Sequence, residues 1–399
     1  MNQFRLFVFL TGWLLVSAAR AEDLQFIGPH PERGFSDAVI VGDVTLVHTT
    51  QLLAWNDQGT ILDSANVAAE IKQVLANLEL ALRAAQSGPQ QIVKLNVYVT
   101  AQEITAEVAA VLGKYFATDR IPAVTYVVTR LPHVKARVAM DAVAIGLGEV
   151  RSTVTVSRVD KLPSVGASHV AHIPPGSRIY IAGQAEKGAT LGEATRRTLE
   201  SLRRTLEFLG RRAEDVVQFK AFLSPMADVG VVETEFATFF GTRTVPPLVC
   251  VEWTSPLIEI ELIAWGGAHH EGPAVEFVTP PGMTASPIYS RVARINHTPT
   301  VYTSGIFATD AKDAAAEAKD IFGQLERLLG PCGSDFKHLA KATYYCSTNA
   351  ASQKLNEIRP KYFDPQRPPS ASKAMVLGVG REHCELTLDM IAVPTGSRK

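Results

Sequence analysis

The chain has 399 residues, a net charge of −1, 46% hydrophobic and 20% charged residues, the make-up of a globular protein long enough for several domains. No long run of one sign exists to give the electrostatic footprint of a nucleic-acid partner. Its four cysteines, Cys250, Cys332, Cys346 and Cys384, form no C-x-x-C pair, which excludes zinc-ribbon and thioredoxin-like motifs.

At the start, Arg5 is followed by an apolar run over 6–16 and an A-x-A site at Ala19-Arg20-Ala21. This is the pattern of a secretory signal peptide cleaved after Ala21, with a mature protein that is secreted or periplasmic. The apolar run is too short for a membrane span, and no later segment reads as one. Export would permit a Cys332–Cys346 or Cys346–Cys384 disulfide, while buried free thiols fit equally simple packing.

Residues 38–48 read as two strands joined in a tight hairpin at Gly42-Asp43. Over 66–86, Ile71, Val74, Leu75, Leu78 and Leu82 recur at helical steps, and Ser87-Gly88-Pro89 stops the helix. A strand over 92–100, a helix over 106–117 and strands over 124–130 and 137–146 complete the order β-β-α-β-α-β-β. From Arg151 the order repeats, with strands flanking Gly176-Ser177, helices over 192–210 and 231–240, and strands over 216–224, 248–253 and 257–265. After a linker over 266–273 it starts again, with a helix over 314–329, a middle strand over 339–347 and a last strand over 384–393.

Three anchors hold one period. Leu78, Leu202 and Leu325, then Tyr98, Phe222 and Tyr345, then Phe116, Phe240 and Phe363 all stand 124 and 123 residues apart. A period this long marks globular domains rather than a solenoid. The expected domains span 24–150, 151–268 and 274–395. The fold class is α+β, with two helices packed on one side of a mixed sheet in each unit.

Each repeat resembles the Rid (RidA/YjgF) family of reactive-intermediate deaminases. Phe35 to Val39 and Tyr289-Ser290 are similar to the family's Tyr-Ser-x-Ala opening. Val301 to Gly305 and Tyr180 to Gln184 resemble its Val-Tyr-x-Ser-Gly-Gln strand. Arg130-Leu131-Pro132 and the endings from Asp141 and Glu259 resemble its C-terminal hairpin. The resemblance implies a chorismate-mutase-like fold and, since members are usually homotrimers with clefts between subunits, a monomeric intramolecular pseudo-trimer. The family needs no cofactor. It implies hydrolysis of an imine or enamine, with an arginine from Pro-x-Arg-x-Cys holding the substrate carboxylate and a last-strand glutamate placing water.

By that resemblance the arginine position reads Val124, Leu248 and Ser370, so the anchor is absent from all three repeats. The cysteine remains as Cys250. The glutamate position reads Ala139, Glu259 and Thr387, and the cleft asparagine position Ala109, Glu233 and Asn356. Glu259 as proton relay and Cys250, with backbone N–H groups beside it, are the implied catalytic pair. Tyr289, Ser304, Gly305 and Asn356 are the implied substrate-binding residues. If the two sets face each other, one mosaic cleft is complete. The same residues also fit plainer roles: Cys250 a small buried hydrophobe, Glu259 a solvated strand residue, Tyr289 and Asn356 surface or turn residues. Arg120, Arg243 and Arg367 precede the fourth strands and could replace the anchor or be merely solvated.

Other motifs are weaker. His169/His172, His269/His270/Glu271 and His383/Cys384 lack the spacing of a zinc site and read as solvated histidines. Ribonuclease chemistry lacks a basic patch and a histidine pair. The function expected is an exported Rid-like hydrolase, the alternative a non-catalytic small-molecule-binding protein on the same scaffold.

Overall fold

The computed structural model describes residues 24–62, 65–163, 166–255, 257–296 and 299–396. The expected signal peptide lies outside them. The first repeat comprises β1 (Leu24–His30), β2 (Phe35–Val41), β3 (Leu46–Thr49), β4 (Leu52–Leu53), α1 (Val67–Ala84), β5 (Ile92–Val99), α2 (Ile104–Tyr115), β6 (Ala123–Val128) and β7 (Val138–Ile145). The second comprises β8 (Thr155–Ser157), β9 (Val170–Ile173), β10 (Ser177–Gln184), α3 (Leu191–Phe208), β11 (Val216–Leu223), α4 (Val229–Phe240), β12 (Leu248–Glu252) and β13 (Ile258–Gly267). The third comprises β14 (Val275–Val278), β15 (Val292–Ile295), β16 (Thr300–Thr303), α5 (Ala314–Leu329), β17 (Leu339–Cys346), α6 (Asn349–Ile358), β18 (Ser370–Met375) and β19 (Leu386–Ala392). The chain is therefore α+β, with three tandem units of the expected order, each preceded by one further short strand.

The first helix of each repeat begins at a side-chain cap: Asn66, Thr190 and Asp313 accept from the backbone N–H of Ala68, Glu193 and Ala316. Each cap satisfies a donor that the helix cannot. Ile71, Val74, Leu75, Leu78 and Leu82 turn one face of α1 onto its sheet and are buried, each contributing roughly 1.5–3 kcal/mol on removal from water. Phe219, Phe236 and Phe240 do the same work in the second repeat, meeting edge to face at 5.1 and 6.0 Å.

The hairpin expected at Gly42-Asp43 does not form. After Gly42-Asp43 the chain crosses between sheets: β2 pairs antiparallel with β16 of the third repeat, while β3 pairs with β7 and with β9 of the second. On either side of Gly176-Ser177, β9 joins β3, while β10 joins β13 and β15 of the third repeat. Each repeat thus lends its opening strand to the sheet of the repeat before it, the first lending to the third. That exchange closes a ring, an intramolecular pseudo-trimer. The turn residues serve the exchange directly, since Asp43 Oδ1 accepts from Gly176 N–H at 3.0 Å and pairs with His269.

Where β5, β11 and β17 converge, six ionisable side chains from all three repeats meet. Lys94 pairs with Asp389 at 3.1 Å and Lys341 with Glu261 at 2.7 Å. Asp141 accepts from Tyr98 Oη at 2.7 Å and Asn96 Nδ2 at 2.9 Å, and Lys220 donates to Tyr345 Oη at 3.4 Å. Burial raises Asp141 and lowers Lys94. Charges this deeply placed require partners: those of Lys94, Lys341 and Lys220 come from another repeat, those of Asp141 from its own.

None of the four cysteines is in a disulfide, so neither contemplated pairing is present. The expected solvation of His169 does not hold: it is 1% exposed, accepting at Nδ1 from Val159 N–H at 2.8 Å, with Nε2 2.9 Å from Pro163 O. His172 is also buried, Nε2 lying 3.0 Å from Ala85 O. Both serve loop backbone groups that solvent cannot reach. Among the described residues no helix is long and apolar enough to cross a membrane, and no group of three His, Cys, Asp or Glu side chains could hold a metal.

Candidate functional site

Three equivalent clefts follow from the ring, each between the fourth strand and second helix of one repeat and the second and last strands of the repeat before it. Strand register fixes which residues correspond. Val124 lies beside Leu95 and Leu248 beside Phe219, while Ala371 lies beside Ala342. The anchor position in the third repeat is therefore Ala371, not Ser370. Ser370 is one residue too early and points to the opposite face. Two residues on, the position held by Cys250 in the second repeat is Tyr126 in the first and Lys373 in the third. On the last strands, Ala139, Glu259 and Thr387 lie opposite Tyr98, Phe222 and Tyr345, as equivalent residues should.

The cleft between the second and third repeats holds Glu259, Asn356 and Lys373. Lys373 Nζ donates to Ser352 Oγ at 2.7 Å and to Asn356 Oδ1 at 3.3 Å. Arg359, 5% exposed, donates to the same Asn356 Oδ1 at 2.9 Å and lies over the Tyr344 ring at 5.3 Å. Two cations thus share one amide oxygen, which leaves most of their charge uncompensated. Across the cleft, Gly183 N–H donates to Ser372 Oγ at 3.1 Å, and a Cβ at position 183 would collide with the Glu259 carboxylate. Burial pushes Glu259 up to about 7, helped by the neighbouring Glu261 and opposed by Lys341, Ser372 and Lys373. Lys373 is pushed down, first by burial, with Arg359 adding to it and Cys346 and Glu259 opposing. The arrangement is an acid–base group titrating near neutrality within the field of Lys373. Tyr289 adjoins it: Ser290 bonds to Pro368 O and Pro369 O, at the entry to the Ala371 wall, and Arg291 lies over the Tyr289 ring at 5.0 Å.

Ser304 and Gly305 are elsewhere, in the cleft between the third and first repeats. Ser304 Oγ accepts from Val124 N–H at 2.7 Å and donates to Ser36 O at 2.6 Å, and Gly305 N–H donates to Val124 O at 3.0 Å. This cleft encloses about 860 Å³, lined among others by Phe35, Ala109, Val124, Tyr126 and Phe307. Its last-strand position is Thr387, whose hydroxyl is committed to Ile306 O at 3.0 Å.

Cys250 is in the third cleft, between the first and second repeats, and that cleft is filled. Gln51 stands where Gly183 and Gly305 stand in the other two. Its Oε1 accepts from Cys250 N–H at 3.2 Å, and Thr50 Oγ1 donates to Leu248 O at 2.7 Å. The Cys250 thiol is 4% exposed and raised by burial, Glu233 adding to the shift, so no thiolate is available for chemistry. The six residues singled out from sequence therefore fall in three clefts. Glu259 and Asn356 share one, with Tyr289 beside it. Of the backbone donors expected beside Cys250, its own N–H is bound to Gln51 Oε1 and that of Leu248 to Thr50 Oγ1.

Of the arginines before the fourth strands, Arg243 pairs with Glu214 at 3.1 Å and Arg367 lies over Phe277 at 5.6 Å. Lys373, the cation of this wall whose charge reaches Glu259, was missed, as was Arg359 beside it. The signal was present: the step of 123 residues leads from Leu248 to Ala371 and from Cys250 to Lys373.

A model of the family described as endoribonuclease L-PSP matches residues 28–146 and 282–393, more than half of the chain. A RutC family protein of Synechocystis sp. is 38% identical over 87 residues, covering 22% of this chain and 66% of that protein, just under two thirds of it. Among solved structures, a Rid family protein, YyfB from Yersinia pestis, is 27% identical, covering 31% of this chain and 98% of its own with a TM-score of 0.28. A YjgF family protein from Neisseria meningitidis is 21% identical, covering 32% and 100%, with a TM-score of 0.24.

Proposed function

This chain belongs to the Rid family, the group that the endoribonuclease L-PSP model describes, and from that premise we propose that it hydrolyses a small anionic imine or enamine in the second–third cleft. The observation that carries this reading is Glu259, titrating at about 7 within the field of Lys373, which shares Asn356 Oδ1 with the buried Arg359. Water adds to the C=N carbon while the Glu259 carboxylate takes its proton. That proton passes to the nitrogen, giving a neutral carbinolamine; its hydroxyl proton then follows through Glu259 to the nitrogen, which leaves as ammonia as the C–N bond breaks and the C=O bond forms. A group titrating near the working pH can both accept and return that proton. Lys373 holds the substrate's anionic group as a point charge rather than the bidentate fork that an arginine offers, with Arg359 behind it.

The same proposal takes 24–150, 151–268 and 274–395 as the domains and the closed ring as a working monomer. It also takes export after cleavage at Ala21 as the route to a periplasmic or secreted location. Ammonia release from freshly generated 2-iminobutanoate and 2-aminoacrylate tests the chemistry. Turnover by the native protein, lost in Glu259→Gln, is expected; no release above buffer overturns it. One observation favours the second reading, a binding protein without turnover. Two of the three clefts have no last-strand carboxylate, since Ala139 and Thr387 stand there.

A further inference from the structure

We propose a second activity on the second–third wall: Lys373 forms a reversible Schiff base with small, uncharged ketones or aldehydes. The equivalent residues of the other repeats are Tyr126 and Cys250, so an amine stands at this position in one repeat alone. Lys373 is half-buried, and its Nζ is hydrogen-bonded to neutral acceptors, Ser352 Oγ at 2.7 Å and Asn356 Oδ1 at 3.3 Å. The guanidinium of the buried Arg359 donates to the same Oδ1 at 2.9 Å. An ammonium without a carboxylate in contact, set beside a second cation, is disfavoured against its free amine. The free amine is the nucleophile.

The remaining groups around Lys373 do not restore its charge. Burial lowers it first and Arg359 adds to that, while Cys346 of β17 and Glu259 of β13 oppose. Burial pushes the Cys346 thiol up to about 12, so it carries no charge at neutral pH, and Glu259 at about 7 is only partly ionised there. The deeper lysines are different. Lys94 spends its donors on Thr125 Oγ1, Thr303 O and Asp389, and Lys341 is paired with Glu261. Lys220 is held up, against burial, by Tyr345, Glu261, Asp141 and Asp389.

The neutral amine adds to the carbonyl carbon, and one of its protons passes to the oxygen to give a carbinolamine. Its hydroxyl then takes the Glu259 proton and leaves as water as the C=N bond forms, giving an iminium ion and a carboxylate. Water addition reverses these steps and frees the amine. In the proposed hydrolysis the substrate's anion keeps Lys373 charged. An uncharged carbonyl compound brings no such anion, so neither activity rests on the other.

The test exposes the full protein to butanone and sodium borohydride, which reduces the C=N bond to a stable secondary amine, and maps the label by peptide mass spectrometry. At about pH 7 the label on Lys373 is expected at least about tenfold above that on any other lysine. Lys373→Arg should leave only the background on the remaining lysines. Arg359→Gln should cut the label on Lys373 about three- to tenfold at about pH 7 and leave it unchanged near pH 11, where the amine is neutral in both proteins. Ammonia release is read on the same preparation. Label on Lys373 without ammonia release supports this activity and tells against the hydrolysis alone. Label spread evenly over the lysines of the native protein, or ammonia release without label on Lys373, overturns the proposal.

Discussion

The second–third and third–first clefts are built from the same positions on the same strands, yet their side chains diverge in kind. One has Lys373, Asn356 and Glu259; the other has Tyr126, Ala109 and Thr387 in the equivalent places. The first set is ionic and crowded onto Asn356 Oδ1, the second apolar and open around about 860 Å³. The third cleft shows a different outcome: with Gln51 in place of a glycine, a side chain occupies the space that a ligand would need. In a ring closed by exchanged strands, the sheet register holds all three clefts alike, and single positions decide how much charge each carries and which side chains line it.

Substitutions can break this comparison. The largest effect is expected from Glu259→Gln, which should cut ammonia release about 100- to 10,000-fold, read by steady-state kinetics. Next is Lys341→Ala at the convergence of the three repeats. It leaves Glu261 buried without its 2.7 Å partner and should cost about 3–5 kcal/mol in urea unfolding. Because Glu261 helps to raise Glu259, the surviving folded fraction should also show a shifted pH–rate profile.

Lys373→Met is expected to raise KM for an anionic substrate more than tenfold with a smaller fall in kcat, since the cation holds the substrate rather than moving the proton. A smaller effect concerns pH. Glu259 titrates near 7 when folded against 4.5 for an ordinary glutamate, so between those values the folded state binds the extra proton. Its contribution to stability is complete below about 4.5 and is lost as pH rises through 7. Glu259→Gln should therefore gain on the native protein between pH 5 and 8 in urea unfolding, and a constant difference would contradict the buried carboxyl. The smallest effect is Cys250→Ala, expected to lower stability by about 1 kcal/mol and leave turnover unchanged, because the thiol packs in a closed cleft.

Sequence reading reached the repeats, the helices and the family because each leaves a local trace. Apolar residues at helical spacing found α5 at its observed bounds, and one period tied Tyr98, Phe222 and Tyr345 to one strand. It failed at Gly42-Asp43, where turn chemistry is satisfied whether the next strand folds back or crosses to another sheet. It also misplaced the anchor at Ser370, where a local proline match overrode the period that points to Ala371. Lys373 was hidden by that one-residue slip, which in a strand turns every side chain to the other face. The family model shows a related limit: it matches the first and third repeats and passes over 147–281, the segment that supplies Glu259.

The sequence by itself determined how many units there are, which helices and strands they contain and which residue types remain at each family position, because periodicity and composition are properties of the chain. Only the tertiary structure decided which repeat lends a strand to which, and so which walls face one another. That choice rests on pairings between residues more than a hundred positions apart, Thr303 with Ala38 or Lys94 with Asp389, whose free energy exists only once the ring has closed.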